Sequence, residues 1–391
     1  MKIRTITYGI PGSVAAPAQA KKQLDRASRT LGEVGELFTE AGWEVQTTRL
    51  SLTPVLNELT RPKRIGWLND FAGLCQTAQI EFVSLGAYLG GELTVEEIVG
   101  AIQAHPSFNL TTIIAQEGHV LTEGVRQSAA AIQALAWATP DGLLNFRYAA
   151  IAHCPPGIPF FPASYQAARP GEPASLALGL QMPDLALEVI RNLAPEIRSN
   201  GPAVISEGLA AVLVNELSPL QALAEKICHD QGLVFGGIDL SLAPMGEESV
   251  TEAFEAAGTL RFGETGTLAF AAAITRGLQL AAVSLKTTGY NGLMLPVLED
   301  RLLGNRVDQG LVDVSKILAF SAVCGTGLDV IPLPGDLAPA QLENLLYDVA
   351  ALSARYRKPL SARLFPVPGK KAGEKTTFES PYLTNTTIMS L

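Results

Sequence analysis

The chain has 391 residues, and 38 Asp and Glu against 29 Lys and Arg give a formal net charge of −9. That length can bury a large core, as one big α/β domain or two ordinary ones. The charge argues against nucleic-acid binding, because no basic cluster is large enough to track a phosphate backbone, while 47% apolar and 17% charged residues suit strands buried on both faces.

From the N-terminus, Met-Lys-Ile-Arg-Thr-Ile-Thr-Tyr-Gly reads as a strand and not as a signal peptide, since no apolar core and cleavage site follow. Further β-type runs are expected at 44–50, 81–85, 111–115, 148–153, 175–180, 234–242, 280–285, 328–333 and 360–365, after the first at 3–8. Between them lie helices with readable ends. Thr94-Val-Glu-Glu97 is a capping-box pattern, and that helix stops at His105-Pro106. Ser218-Pro-Leu-Gln221 orders a cap, an N1 proline and a capping-box glutamine, with Gly232 as terminator. A helix over 339–356 carries Leu342, Leu345, Leu346, Val349 and Leu352 on one stripe. It ends in Arg355, Arg357 and Lys358, which suit the negative end of the helix dipole.

About ten strands alternating with helices predict a mostly parallel sheet, closed or nearly closed into one α/β barrel over residues 1–391. Two α/β lobes dividing near Pro170-Gly-Glu-Pro173 are the alternative. Residues 373–391, rich in Thr and Ser, read as a tail folded over the barrel. The apolar stretch 267–285 carries Arg276 and Gln279 and reads as a buried helix running into a strand, not a membrane span. Cys75, Cys154, Cys228 and Cys324 are far apart with no Cys-x-x-Cys pair, which predicts reduced thiols in a cytoplasmic protein. Apolar outer helices point to a homodimer.

Three apolar runs break off into proline, glycine and a charged residue: Phe-Gly-Gly-Ile-Asp-Leu-Ser-Leu-Ala-Pro (235–244), Leu-Asp-Val-Ile-Pro-Leu-Pro-Gly-Asp (328–336) and Ala-Arg-Leu-Phe-Pro-Val-Pro-Gly-Lys-Lys (362–371). Proline cannot donate to a ladder, so each run is forced from its sheet where the polar residues begin. Loops after the carboxyl ends of strands are where α/β proteins assemble sites. Asp239 and Ser241 share one strand face, and Asp239, Asp329 and Asp336 are candidate oxygen ligands for a hard cation such as Mg²⁺ or Ca²⁺. The plainer alternatives are that Asp239 caps backbone amides and that Asp336 caps the following helix.

Three further constellations carry polar chemistry. His153-Cys154-Pro-Pro-Gly-Ile-Pro-Phe-Phe-Pro-Ala-Ser-Tyr165 is a rigid loop presenting His153, Cys154 and Tyr165. Adjacent His and Cys point opposite ways on an extended chain and do not make a simple nucleophile–base pair. Gln116-Glu117-Gly118-His119 offers Glu117 as a general base or ligand, or is simply a turn. Lys286-Thr-Thr-Gly-Tyr-Asn-Gly292 and Pro368-Gly-Lys-Lys371 offer glycines with Lys286, Lys370 and Lys371 as an anion nest, against the alternative of solvated surface lysines. No Gly-x-Gly-x-x-Gly, Walker loop, Gly-x-Ser-x-Gly or His-Glu-x-x-His is present, so no nucleotide cofactor is expected.

At Gly157-Ile-Pro-Phe-Phe-Pro-Ala-Ser-Tyr165, Gly237-Ile-Asp-Leu-Ser-Leu-Ala-Pro244, Gly327-Leu-Asp-Val-Ile-Pro-Leu-Pro-Gly-Asp336 and Pro366-Val-Pro-Gly-Lys-Lys371, the chain resembles the uncharacterised pyruvate formate-lyase-like ("PFL family") proteins. The resemblance implies a ten-stranded α/β barrel of the glycyl-radical-enzyme kind and an ACT-domain partner. It brings no established activity. The radical mechanism is not implied, because the last cysteine, Cys324, precedes a strand and no radical-loop sequence follows. The resulting expectation is a cytoplasmic enzyme on a small anionic metabolite, with metal-assisted hydrolase or lyase chemistry. Asp239, His153, Glu117 and Cys154 would be catalytic; Asp239, Asp329 and Asp336 would hold the metal. Ser241, Lys286, Arg363, Lys370, Lys371 and Tyr165 would bind the substrate. The competing expectation is a non-catalytic metabolite sensor.

Overall fold

In β1 (Lys2–Gly9) Ile3, Ile6 and Tyr8 belong to the main core, while Thr5 and Thr7 hydrogen-bond each other at 3.1 Å. Ile3 and Ile6 are an odd number of residues apart, and a register shift between Ile3 and Thr5 lets both join that core. The computed structural model describes residues 1–324 and 326–391, so Gly325 of Cys324-Gly-Thr-Gly327 lies outside the described residues. After β1 come β2 (Thr48–Ser51), β3 (Val83–Leu89), β4 (Phe108–Gln116), β5 (His119–Val120), β6 (Tyr148–Ala152), β7 (Ser175–Gln181), β8 (Val234–Asp239), β9 (Gly327–Pro334) and β10 (Leu360–Val367). The helices are α1 (Pro17–Glu40), α2 (Arg61–Thr77), α3 (Val95–Ala104), α4 (Thr122–Trp137), α5 (Pro183–Asn192), α6 (Ala194–Asn200), α7 (Ile205–Asp230), α8 (Val250–Glu255), α9 (Thr267–Ala281), α10 (Arg301–Asp308), α11 (Val314–Phe320) and α12 (Pro339–Tyr356).

The strands form one mixed sheet in the order β8-β7-β1-β2-β3-β4-β6-β10-β9, with β5 hairpinned onto β4. β1, β2, β3, β4 and β6 run parallel; β7 with β8 and β10 with β9 form parallel pairs joined to that block antiparallel, at β1/β7 and β6/β10. Most pairings are parallel, as expected, but the two antiparallel joins make the sheet mixed in direction. It also continues across Pro170-Gly-Glu-Pro173, since β7 pairs with β1 on one side and β8 on the other. Among the described residues, ladder hydrogen bonds do not close it. Between its outer strands, residues 287–296 make isolated parallel bridges, Ile238↔Thr287 and Leu242↔Leu293 on one side and Pro296↔Asp329 on the other.

Nine of the ten expected β-runs are strands. The exception, 280–285, is the end of α9 and a turn: Phe270, Ile274, Leu278 and Ala281 keep a buried helical stripe, which overrides the local β propensity. Ser218-Pro219 does not start a helix either. It lies inside α7, whose stripe of Leu209, Leu213, Leu217, Leu220 and Ala224 continues unbroken, while Pro219 sits exposed and Ser218 Oγ bonds back to Val214 O at 2.6 Å. The Thr94–Glu97 capping box forms in both halves. α12 spans the expected residues, but Asp336 does not cap it; Gln341 accepts the Ala338 N–H at 3.0 Å instead. Among the described residues one helix, Pro202–Asp230, is long and apolar enough to cross a membrane, and 33% of its most apolar stretch is buried.

One face of the sheet packs against the helices in the main core. The other face is filled by chain. Ala87, Ala149 and Ile151 from strands meet Ile158, Phe160 and Ala163 of the proline-rich loop and Tyr290 and Met294 of the bridging segment. Polar contacts pin that loop: Thr7 Oγ1 donates to Pro159 O at 2.9 Å, Ser164 Oγ to Ser51 Oγ at 2.9 Å, and Ser84 Oγ to Ser164 O. Phe161–Pro162 is a cis peptide. Residues 373–391 lie against this structure, with Thr384 N bonded to Leu298 O and Met389 N to Pro332 O.

Candidate functional site

The loop and the bridging segment leave a cavity of about 690 Å³. Thr47, Phe82, Pro106 and Arg147, which precede β2, β3, β4 and β6, line it, as do Ala243–Met245 beyond β8 and Glu379–Tyr382 of the C-terminal segment. The cavity thus borders the carboxyl end of β8 but the starts of β2, β3, β4 and β6, where carboxyl ends were the expected place for a site. A sheet of two opposed blocks gathers the starts of one and the ends of the other.

A chain of alternating charges crosses one wall. Arg4 Nη2 donates to Glu299 Oε2 at 2.8 Å, Arg363 Nη2 to Glu299 Oε1 at 2.7 Å, and Arg363 Nε to Asp329 Oδ1 at 2.7 Å. Arg4 Nη1 also reaches Pro244 O at 2.5 Å. Burial acts to raise the Glu299 pKa, but Arg363 and Arg4 outweigh it and hold the carboxyl below its ordinary value. Phe146 covers Arg363, its ring centre 4.9 Å from the guanidinium carbon, and Tyr382 stacks on Phe146 with centroids 6.0 Å apart.

Arg49 differs. Among the described residues no carboxylate lies within ion-pair distance, and its one hydrogen bond runs from Nε to Thr47 Oγ1 at 3.1 Å. Its guanidinium sits 5.2 Å from the Phe82 ring centre and 5.3 Å from that of Phe161. Burial, then Arg4, pushes its pKa down to about 9 against the opposing pull of Glu299, so the cation is present at neutral pH but has no ion-pair partner among the described residues. Arg147 has no carboxylate either, but it donates to Ile102 O and His105 O, both at 2.6 Å, where α3 ends. Those carbonyls engage its Nη1, while burial pushes its pKa down to about 10.

The structure brings few of the expected residues into this cavity. Arg363 and Asp329 line it. Asp239 and Ser241 are fully buried behind it, with Asp239 tying down the 289–292 turn. Asp239 Oδ1 accepts from Ser241 N (2.9 Å), Ser241 Oγ (2.6 Å) and Asn291 N (3.1 Å), and Oδ2 accepts from Tyr290 N at 2.8 Å. Gly289 has φ +80°, and a Cβ there would fall 2.0 Å from Asp239 Oδ2, so glycine is required. Burial raises the Asp239 pKa against these hydrogen bonds. The amide-capping alternative therefore describes Asp239. Asp239→Asn turns one acceptor into a donor facing a backbone N–H, and is expected to lower stability by about 1–3 kcal/mol. Urea unfolding checks this, and an unshifted midpoint would show that the turn does not need the carboxylate.

The three proposed metal ligands do not converge: Asp239 is saturated, Asp329 is paired with Arg363, and Asp336 is exposed beyond β9. Among the described residues no three His, Cys, Asp or Glu side chains stand where they could share a metal. His153 has φ +50°. It accepts Gly118 N at Nε2 (2.7 Å), and its Nδ1 lies 2.9 Å from Ser353 Oγ, so it clamps the β4–β5 turn to α12. Burial, then Arg357, holds its pKa below the ordinary value. Glu117 is exposed in that turn. Cys154 is buried against Tyr290 and Leu360 O, burial pushes its thiol up to about 12, and Tyr165 OH bonds its carbonyl at 2.9 Å. None of these four lines the cavity. Lys286 is exposed over the Phe235 ring, and Lys370 and Lys371 form a turn in which Lys371 N meets Glu374 at 2.5 Å. None of the three lysines lines the cavity.

Sequence reasoning passed over Arg4, Arg49, Arg147 and Glu299. A usable signal was present: Ile3-Arg4-Thr5, Arg49-Leu50, Arg147-Tyr148 and Ala362-Arg363-Leu364 each set an arginine in or beside an apolar β-run. A charge there needs a partner or a cavity.

Fold and site define a mixed α/β protein enclosing an arginine-bearing cavity. The chain belongs to the family described as Uncharacterised ACR (DUF711), whose model matches residues 1–379. It is similar to a UPF0210 protein of Pyrobaculum arsenaticum, 26% identical over 96% of this chain and 87% of that protein. Others are UPF0210 proteins of Acetivibrio thermocellus (25%, over 97% and 88%) and Syntrophobacter fumaroxidans (30%, over 61% and 53%). The resemblance to pyruvate formate-lyase-like proteins is corrected by this match, which places the chain in a distinct family. The short Pro-Gly-rich motifs that suggested it recur wherever strands break into turns.

Proposed function

We propose that the protein binds a small organic anion inside the cavity, with the anionic group paired to Arg49. The observation that carries this reading is the half-buried guanidinium of Arg49, which faces the cavity without an ion-pair partner among the described residues, while Arg4 and Arg363 are paired to carboxylates. A volume of about 690 Å³ falls within the range of small-molecule sites. A planar guanidinium held between rings is preorganised for a carboxylate or phosphate oxygen pair. A metal would have to displace Arg363 to use Glu299 or Asp329, whereas an anion at Arg49 displaces nothing. On this reading the sheet curls into a barrel around the ligand, with residues 287–296 spanning the gap between β8 and β9. The four free, buried cysteines suit the cytoplasm.

The test is thermal unfolding of the full chain titrated with small carboxylates and phosphates at constant ionic strength. A ligand of the folded state at a hundredfold excess over its dissociation constant stabilises by about 2.7 kcal/mol. The expected result is a saturable rise for at least one anion, absent in Arg49→Met. Equal rises in both proteins would remove Arg49 from the site and the reading with it.

A further inference from the structure

Resting on that reading, we infer that the anion carries an apolar, flat body: the ligand class is an aromatic or similarly planar monoanion, not a di- or tricarboxylate. Two independent features of the cavity lead there. The first is charge. Arg4 and Arg363 are both committed to Glu299, Arg363 also to Asp329, and Arg147 to main-chain carbonyls. Among the described residues, Arg49 is the one arginine lining the cavity with neither a carboxylate nor a main-chain carbonyl partner, so one cationic group is left to receive one anionic group. A second carboxylate would be buried near Glu299 and Asp329 without a partner, a costly placement.

The second is the composition of the wall. Aromatic residues make up 6% of the chain, yet Phe82, Phe146, Phe160, Phe161, Tyr290 and Tyr382 all line this one cavity. Of the chain's 5 methionines, Met245 and Met294 line it too. Rings offer large apolar contact with a preferred offset or edge-on geometry, and thioethers add favourable contacts at ring edges. Phe82 and Phe161, which flank the Arg49 guanidinium, extend that apolar surface outward from the point where the anionic group would sit. A compact polyanion would leave most of this surface in contact with trapped water.

Calorimetric titration of the full chain with five probes tests the class: phenylacetate, its neutral amide phenylacetamide, acetate, succinate and inorganic phosphate. Phenylacetate is expected to bind at least about tenfold more tightly than acetate, the scale set by burying one ring. It should also bind at least about tenfold more tightly than phenylacetamide, and succinate should gain nothing over acetate. Phe82→Leu should weaken phenylacetate by several times more than it weakens acetate, a difference that a general loss of structure would not give. If succinate or phosphate outranks phenylacetate while Arg49→Met still abolishes binding, the planar-monoanion class is overturned and anion binding at Arg49 stands. If all five probes behave alike in wild type and Arg49→Met, the underlying reading fails instead.

Discussion

Replacing Glu299 by alanine is expected to destabilise the fold by about 3–5 kcal/mol, the scale measured when one member of a buried charge network is removed. Glu299 is 4% exposed and accepts from two guanidiniums, Arg4 at 2.8 Å and Arg363 at 2.7 Å. Without it Arg363 keeps Asp329, but Arg4 keeps only the Pro244 carbonyl. Two cations then share a low-dielectric wall with Arg49 already beside them. Domains are stable by roughly 5–15 kcal/mol, so the variant should lie near its unfolding transition. The same residue gives a pH signature. Its folded pKa lies below the ordinary 4.5, because Arg363 and Arg4 overcome the opposing effect of burial. The stabilisation is therefore complete above the unfolded value and is lost as pH falls through it toward the folded one. Urea midpoints measured from pH 7 down to pH 3 should fall more steeply for the wild type than for Glu299→Gln. Parallel acid limbs would mean that the network does not hold the carboxylate ionised.

The strands were legible because alternation and turn residues act locally: the runs at 3–8, 111–115, 175–180 and 328–333 all lie within observed strands. Same-face placement of Asp239 and Ser241 was legible for the same reason, and their side chains meet at 2.6 Å. Strand direction was not legible. Nothing local in 175–181 or 360–367 says that β7 and β10 run against β1 and β6, yet that reversal decides which end of each strand reaches the cavity. The site was illegible for a related reason. Glu299 lies 295 residues from Arg4 and 64 from Arg363 along the chain, so whether an arginine is paired or left free depends on contacts that no window of sequence contains. Arg363 stood out because it adjoins a Pro-Gly turn, whereas Arg49 has no turn motif beside it and is marked only by the apolar Leu50 and Leu52 that follow. His153, Cys154 and Asp239 attracted attention as reactive types, and the structure employs each to fasten a loop.

Arg49→Met should raise the stability of the unliganded protein while removing anion binding, two effects of opposite value from one substitution. Methionine matches the unbranched arginine stem and suits a site already ringed by Phe82 and Phe161, so packing is largely kept. What disappears is a half-buried cation held without a carboxylate, and replacing such a charge with an apolar side chain gains on the order of 1–2 kcal/mol. The sign can be checked against pH. Burial first, then Arg4, sets the folded pKa at about 9, below the ordinary 12.5, so between these values the unfolded chain holds the proton more strongly. Wild-type stability should then gain relative to the variant as pH rises through about 9, and the variant's advantage should be greatest below it. Adding a bound anion reverses the ranking at neutral pH, because only the wild type is stabilised by the ligand. Paired urea curves at pH 7, with and without the tightest-binding anion, measure both halves. A variant less stable than wild type in the absence of ligand would show that Arg49 is already compensated within the fold, and a site built to receive an anion would lose its physical motive.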